Sequence, residues 1–177
     1  MGIDPARAGR LAYEHAKSCT DDLVDRIAEH FNQDKSKYFK LDFDEAISRK
    51  TDRSALALKD DPKKILAELA FASRDLTMFA NDIEAYYQLS FDLMMQQHAS
   101  TQLVIHGTKV KRIFVDGGFG NNAIYMNLLA EFFPDMEVFA SSIPQATAIG
   151  AALAIHDAWN AEGLPNHLIE FRVQSLI

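Results

Sequence analysis

At 177 residues, 48% of them hydrophobic and 24% charged, the chain is one domain's worth and long enough to bury a core, which excludes an intrinsically disordered protein. A net charge of -7 without a dense Lys or Arg cluster argues against a nucleic-acid partner. Cys19 has no second cysteine to pair with, no secretory pattern opens the sequence, and no apolar run is long enough to span a bilayer, so the expectation is a cytoplasmic protein with no membrane partner.

Ala6 to Phe31 reads as a helix with Leu23, Ile27 and Phe31 on one stripe and Asp21, Asp22, Asp25 and Glu29 largely off it. Asn32 to Lys40 reads as a polar connection. Phe43, Ala46 and Ile47 suggest a short second helix that fades into Arg49 to Arg53, closing a helical lead-in over residues 1–60. His15 and His30 lack a second His or Cys at ligand spacing, so no metal site is expected.

Long helices are expected over 61–106. Asp61 can cap and Pro62 suits the first helical position, with Ile65, Leu69 and Ala72 continuing an apolar face. Asn81 and Glu84 have capping-box spacing, marking either a new helix or a bend. From Ile83 to His98, Tyr86, Tyr87, Phe91, Met94 and Met95 cover more than one narrow face, the pattern of a core helix packed on two sides.

Lys111 to Asn122, Lys-Arg-Ile-Phe-Val-Asp-Gly-Gly-Phe-Gly-Asn-Asn, is the most informative stretch. Ile113, Phe114 and Val115 read as a short buried strand, and the helical pattern resumes after Asn122. Gly117 and Gly118 permit positive φ and close approach of a flat group to the backbone. The free N–H groups opening the next helix favour a phosphate or another polar group. A plain strand-to-helix turn fits the glycines equally well. The dinucleotide fingerprint fails, because Ala123 holds its third glycine position, and no Gly-Lys-Ser or Gly-Lys-Thr follows to make a Walker loop. Ile124, Leu128 and Phe132 then recur at helical spacing before Pro134, and Glu137 to Ala140 reads as a second strand. After Pro144, Gln145 to Ala154 reads as a helix with a face of small residues and a mid-helix Gly150.

Val115 to Ala154 resembles the C-terminal lobe of the FGGY carbohydrate kinases, sugar kinases of the actin and hexokinase superfamily. In that family a strand enters a Gly-Gly-Gly-Ser-x-Asn loop, and a helix and short strand lead to an acidic-Ala-x-Ala-x-Gly-Ala-Ala helix. Gly117, Gly118 and Asn122 match the loop, with Phe119 at its third glycine and Gly120 at its serine. Ala146, Ala148, Gly150, Ala151 and Ala152 match the later helix, with Gln145 at the acidic position. The resemblance implies a single α/β domain over 1–177, a helix-rich part of an actin-like (ribonuclease H-like) ATPase lobe with a short sheet, whose nucleotide-loop unit spans 111–159.

It further implies an ATP-dependent carbohydrate kinase that phosphorylates a sugar or polyol hydroxyl. Gly117, Gly118, Phe119, Gly120 and Asn122 would lie against the nucleotide, with Gln145, Ala148 and Gly150 packing near it. Asn122 would either bond the purine or cap the helix. The family's Asp-x-Gly-Thr phosphate loop and its base aspartate are not found in these residues, and Gly107-Thr108 is misplaced for its phosphate turn. The catalytic base, the Mg2+ ligands and most contacts to the sugar are therefore expected in an N-terminal lobe, and this chain alone is expected to be inactive. Asp116 is not assigned the role of base. A non-catalytic regulatory or scaffold module of the same fold and another actin-superfamily ATPase are the alternatives, and a homodimer stays open.

Overall fold

The computed structural model describes residues 20–58, 65, 71–141, 152–159 and 171–174. Within them run α1 (20–30), α2 (Glu45–Ser48), α3 (Asp82–Ile105), β1 (Arg112–Val115), α4 (Ala123–Phe132), β2 (Glu137–Ser141), α5 (His156–Trp159) and β3 (Phe171–Gln174). Short 3-10 turns at Lys35–Lys40, Ser54–Leu58, Phe71–Ser73 and Leu76–Met78 precede α3, and another at Gly117–Asn121 follows β1. The chain is of the α/β class, mostly helical with a small sheet.

Helix α3 is the central element. Asn81, in extended backbone, accepts the Glu84 N–H at 2.9 Å, and the Glu84 carboxylate accepts the Ala80 N–H at 3.3 Å, so the Asn81/Glu84 spacing starts a new helix. Tyr86, Tyr87, Leu89, Phe91, Met94 and Met95 are all buried, the two-sided packing expected of this segment. On one side Tyr87 receives the Asp44 N–H at 2.6 Å and donates to the Asp42 carbonyl at 3.2 Å, fixing the start of α2. On the other side α4 packs, with Phe91 and Phe132 edge to face. One hydrophobic cluster runs from Val24 and Ile27 of α1 through α3 to Val138 and Ala140 of β2.

Two expectations upstream of α3 need correction. The Asn32 to Lys40 connection contains a 3-10 turn capped by Asp34, and Tyr38 within it is fully buried on the ring of Tyr86, with centroids 4.9 Å apart and planes 12° apart. The stretch before Asn81 is not one long helix in its described part. Asp75 accepts the Thr77 N–H at 3.0 Å and begins a 3-10 turn, while the Ala72 and Arg74 carbonyls accept from Arg26, each at 2.8 Å. Ala72 is consequently exposed, although Ile65 is buried as read. Asp61, Pro62 and Leu69 lie outside the described residues, as do residues 1–19 of the lead-in.

Strands β1 and β2 pair in parallel, Arg112 opposite Glu137 and Val115 opposite Ala140, joined through α4. β3 adds antiparallel to β2 with Phe139 opposite Val173, a third strand that the local pattern did not reveal. Val115, Val138 and Ala140 are buried on the face that meets α4. On the opposite face Phe114 is 53% exposed and stacks on Phe139 at 5.1 Å, and Val173 is 62% exposed. Among the described residues β1 has a neighbouring strand on one side only.

Candidate functional site

The parallel pair places the end of β1 and the start of α4 at one edge of the sheet. The Asp116 carboxylate accepts the Gly117 N–H at 2.8 Å and opens the 3-10 turn. Gly117 has φ +75°, the left-handed conformation that glycine enters without a steric cost. Gly118 keeps negative φ, so only one of the two glycines uses the freedom anticipated for both. A Cβ built on either would meet nothing within 4 Å among the described residues. Among the described residues nothing covers the backbone at these two glycines, which leaves room for a flat or anionic group.

Phe119 is 48% exposed, and its ring lies 4.8 Å from that of Tyr125, tilted by 40°. Gly120 is buried beneath the turn. The Asn122 N–H closes the turn on the Phe119 carbonyl at 3.1 Å. Asn122 is the N-cap of α4: its Oδ1 accepts the Tyr125 N–H at 3.0 Å. Its Nδ2 donates to the Tyr86 hydroxyl, also at 3.0 Å. Both ends of the Asn122 amide are therefore engaged within the chain. Burial pushes the hydroxyls of Tyr86 and Tyr125 above the ordinary tyrosine range.

Sequence reading placed Gly117, Gly118, Phe119, Gly120 and Asn122 together, and the fold brings them into one turn. Gln145, Ala148 and Gly150 lie outside the described residues. Tyr86, read only as core, was missed as a neighbour of the turn, because its partner is 36 residues away and no local pattern signals the contact. His98 packs against Phe132 and Phe133 and meets Gln102 through Nε2 at 3.3 Å.

A separate cavity of about 390 Å³ lies between α2, the turn at Leu76–Met78 and the start of α3. Its charged lining is largely paired with itself, Lys50 with Glu84 at 2.8 Å and Arg74 with Asp52 at 3.2 Å. Among the described residues no group of three or more His, Cys, Asp or Glu side chains could hold a metal ion, and no helix is long and apolar enough to cross a membrane.

The turn therefore offers an exposed aromatic face and the N-terminus of a ten-residue helix, a set suited to holding a ligand in place. Comparison of the chain with family models, curated proteins and solved structures finds no match.

Proposed function

We propose that the chain is the nucleotide-binding C-terminal lobe of an ATP-dependent carbohydrate kinase of the actin-like fold, acting on a sugar or polyol hydroxyl. The observation that carries this reading is the parallel β1–turn–α4–β2 unit, with left-handed Gly117 at the strand end and no described residue covering Gly117 and Gly118. In the proposed complex the adenosine part of ATP lies over the two glycines, and the exposed ring of Phe119 flanks the base. Asn122 holds the turn in shape through its cap to Tyr125. Phosphoryl transfer depends mostly on positioning and charge stabilisation, so the lobe contributes by fixing the nucleotide. The Mg2+ ligands, the base and the main sugar contacts belong to the proposed N-terminal lobe.

The test is titration of the chain with ADP and ATP by calorimetry, beside a coupled assay with sugars. Nucleotide binding without sugar-dependent turnover is expected. Absence of binding, or turnover at ~1 per second or faster, overturns the assignment. A second reading, a scaffold module that keeps this shape without nucleotide, draws on Asn122, whose amide is engaged at both ends inside the chain.

A further inference from the structure

The glycine turn is fixed very unevenly at its two ends. Among the described residues, Gly117 and Gly118 have nothing within 4 Å of where a side chain would stand. At the other end Asn122 ties the turn to the core: its Oδ1 takes the Tyr125 N–H while Nδ2 reaches across to Tyr86 on α3. An amide nitrogen can only donate, so with Oδ1 on the cap, Nδ2 requires an acceptor, and the Tyr86 hydroxyl supplies it.

Tyr86 is itself held still. Its side chain is 4% exposed, and its ring is stacked on that of buried Tyr38. Beyond Asn122 the geometry continues outward, since Tyr125 carries both the N–H that Asn122 caps and the ring on which exposed Phe119 rests. The placement of the only large aromatic face on the turn therefore depends on an amide whose orientation is set from α3.

We infer that Tyr86 is a positioning residue for nucleotide binding: through Asn122 it holds the Gly117–Asn121 turn and the Phe119–Tyr125 pair in the geometry that meets the ligand. This rests on the nucleotide reading given above. Tyr86 does not touch the ligand. Its hydroxyl acts by removing the freedom of the Asn122 side chain, so that less order must be imposed when a nucleotide binds.

The test is a double-mutant cycle on the whole chain, with ADP as the probe. Tyr86→Phe keeps the ring stack and removes only the acceptor. Asn122→Ser keeps a capping oxygen but cannot span the distance to Tyr86. Each single variant is expected to weaken ADP binding about fivefold, the factor corresponding to one lost hydrogen bond. The double variant should bind no more weakly than Asn122→Ser alone. Hydrogen exchange at the Tyr125 amide should quicken in Tyr86→Phe without ADP present, a change read independently of binding. If Tyr86→Phe binds ADP like the unmodified chain, or if the two effects add in full, the positioning role is overturned while the nucleotide reading stands. If the unmodified chain does not bind ADP, the nucleotide reading fails and the inference with it. Should Tyr86→Phe fold poorly, Asn122→Ser interrupts the same contact from the turn side, and unchanged ADP affinity in that variant overturns the proposal.

Discussion

Arg74 grips Asp92 with two donors, Nε at 2.6 Å and Nη2 at 3.0 Å, on a carboxylate side chain only 2% exposed in the middle of α3. Gln88 donates to the same carboxylate at 2.8 Å and accepts the Asp52 N–H at 2.6 Å, so three chain segments meet on one buried charge. The pairing with Asp92 holds the Arg74 guanidinium above its already high range. Removing the cation alone leaves a desolvated carboxylate without its counter-charge. Arg74→Met should therefore lower stability by roughly 3 kcal/mol, read as a shift of the urea midpoint at unchanged slope. The double variant Arg74→Met, Asp92→Leu should lose less than that, because neither charge is left behind.

The two turn glycines separate architecture from ligand access. Gly117 sits at φ +75°, where alanine is strained, so Gly117→Ala should cost about 1 kcal/mol of stability. Gly118 has ordinary φ and no described residue within reach of an added side chain, so Gly118→Val should leave the melting temperature nearly unchanged. Under the proposed function Gly118→Val nevertheless weakens ATP binding, since the added methyl groups occupy the space assigned to the nucleotide. Thermal melts and an ATP titration on the same preparation read both quantities. A loss of stability in Gly118→Val with unchanged ATP affinity would remove the nucleotide role of the turn.

Alkaline pH should unfold the protein through its tyrosines. Burial raises the hydroxyls of Tyr38, Tyr86, Tyr87 and Tyr125, with the Asp82 carboxylate adding to the effect on Tyr38. An acid whose folded pKa lies above its unfolded value keeps its proton longer when folded. Its contribution to stability is complete below the unfolded pKa, about 10, and is lost as pH rises through the higher folded values. Absorbance near 295 nm should show these tyrosines ionising late and together with unfolding. Independent titration of all of them near pH 10 without unfolding would contradict the burial described here.

The elements most legible in the sequence carry their signals locally. Asn81 and Glu84 announce α3 because the cap is made within one turn, and the β-rich Ile113 to Val115 run ends at glycines that the turn uses. What escaped was decided by distant partners. Tyr38 lies among Lys35, Lys37 and Lys40 and looks solvated, yet the ring of Tyr86, 48 positions later, buries it. The helical pattern before Asn81 yields where Arg74 turns toward Asp92 and Arg26 takes two carbonyls. β3 follows β2 by some thirty residues, and no hairpin signal can announce such a pairing. In the candidate site the residue types were readable, while the Asn122–Tyr86 contact that fixes them was not.

The single-sided pairing of β1 also bears on how the protein behaves as a colloid. A strand that among the described residues is paired on one side only, with an exposed Phe114, is a template for stacking chain upon chain. Lys109 and Lys111 precede it, and their like charges repel a second copy approaching edge to edge, whereas Arg112 within the strand is paired with Glu137 at 2.8 Å. At 0.1 M salt the screening length is about 10 Å, so this local protection fades as salt is added even though the net charge remains acidic. Light scattering should therefore rise with ionic strength, and Phe114→Lys should flatten that rise; equal scattering from both proteins across the salt series would place the sticky surface elsewhere. Purification of this chain is accordingly better begun at low salt, with the charges around β1 left to keep neighbouring molecules apart.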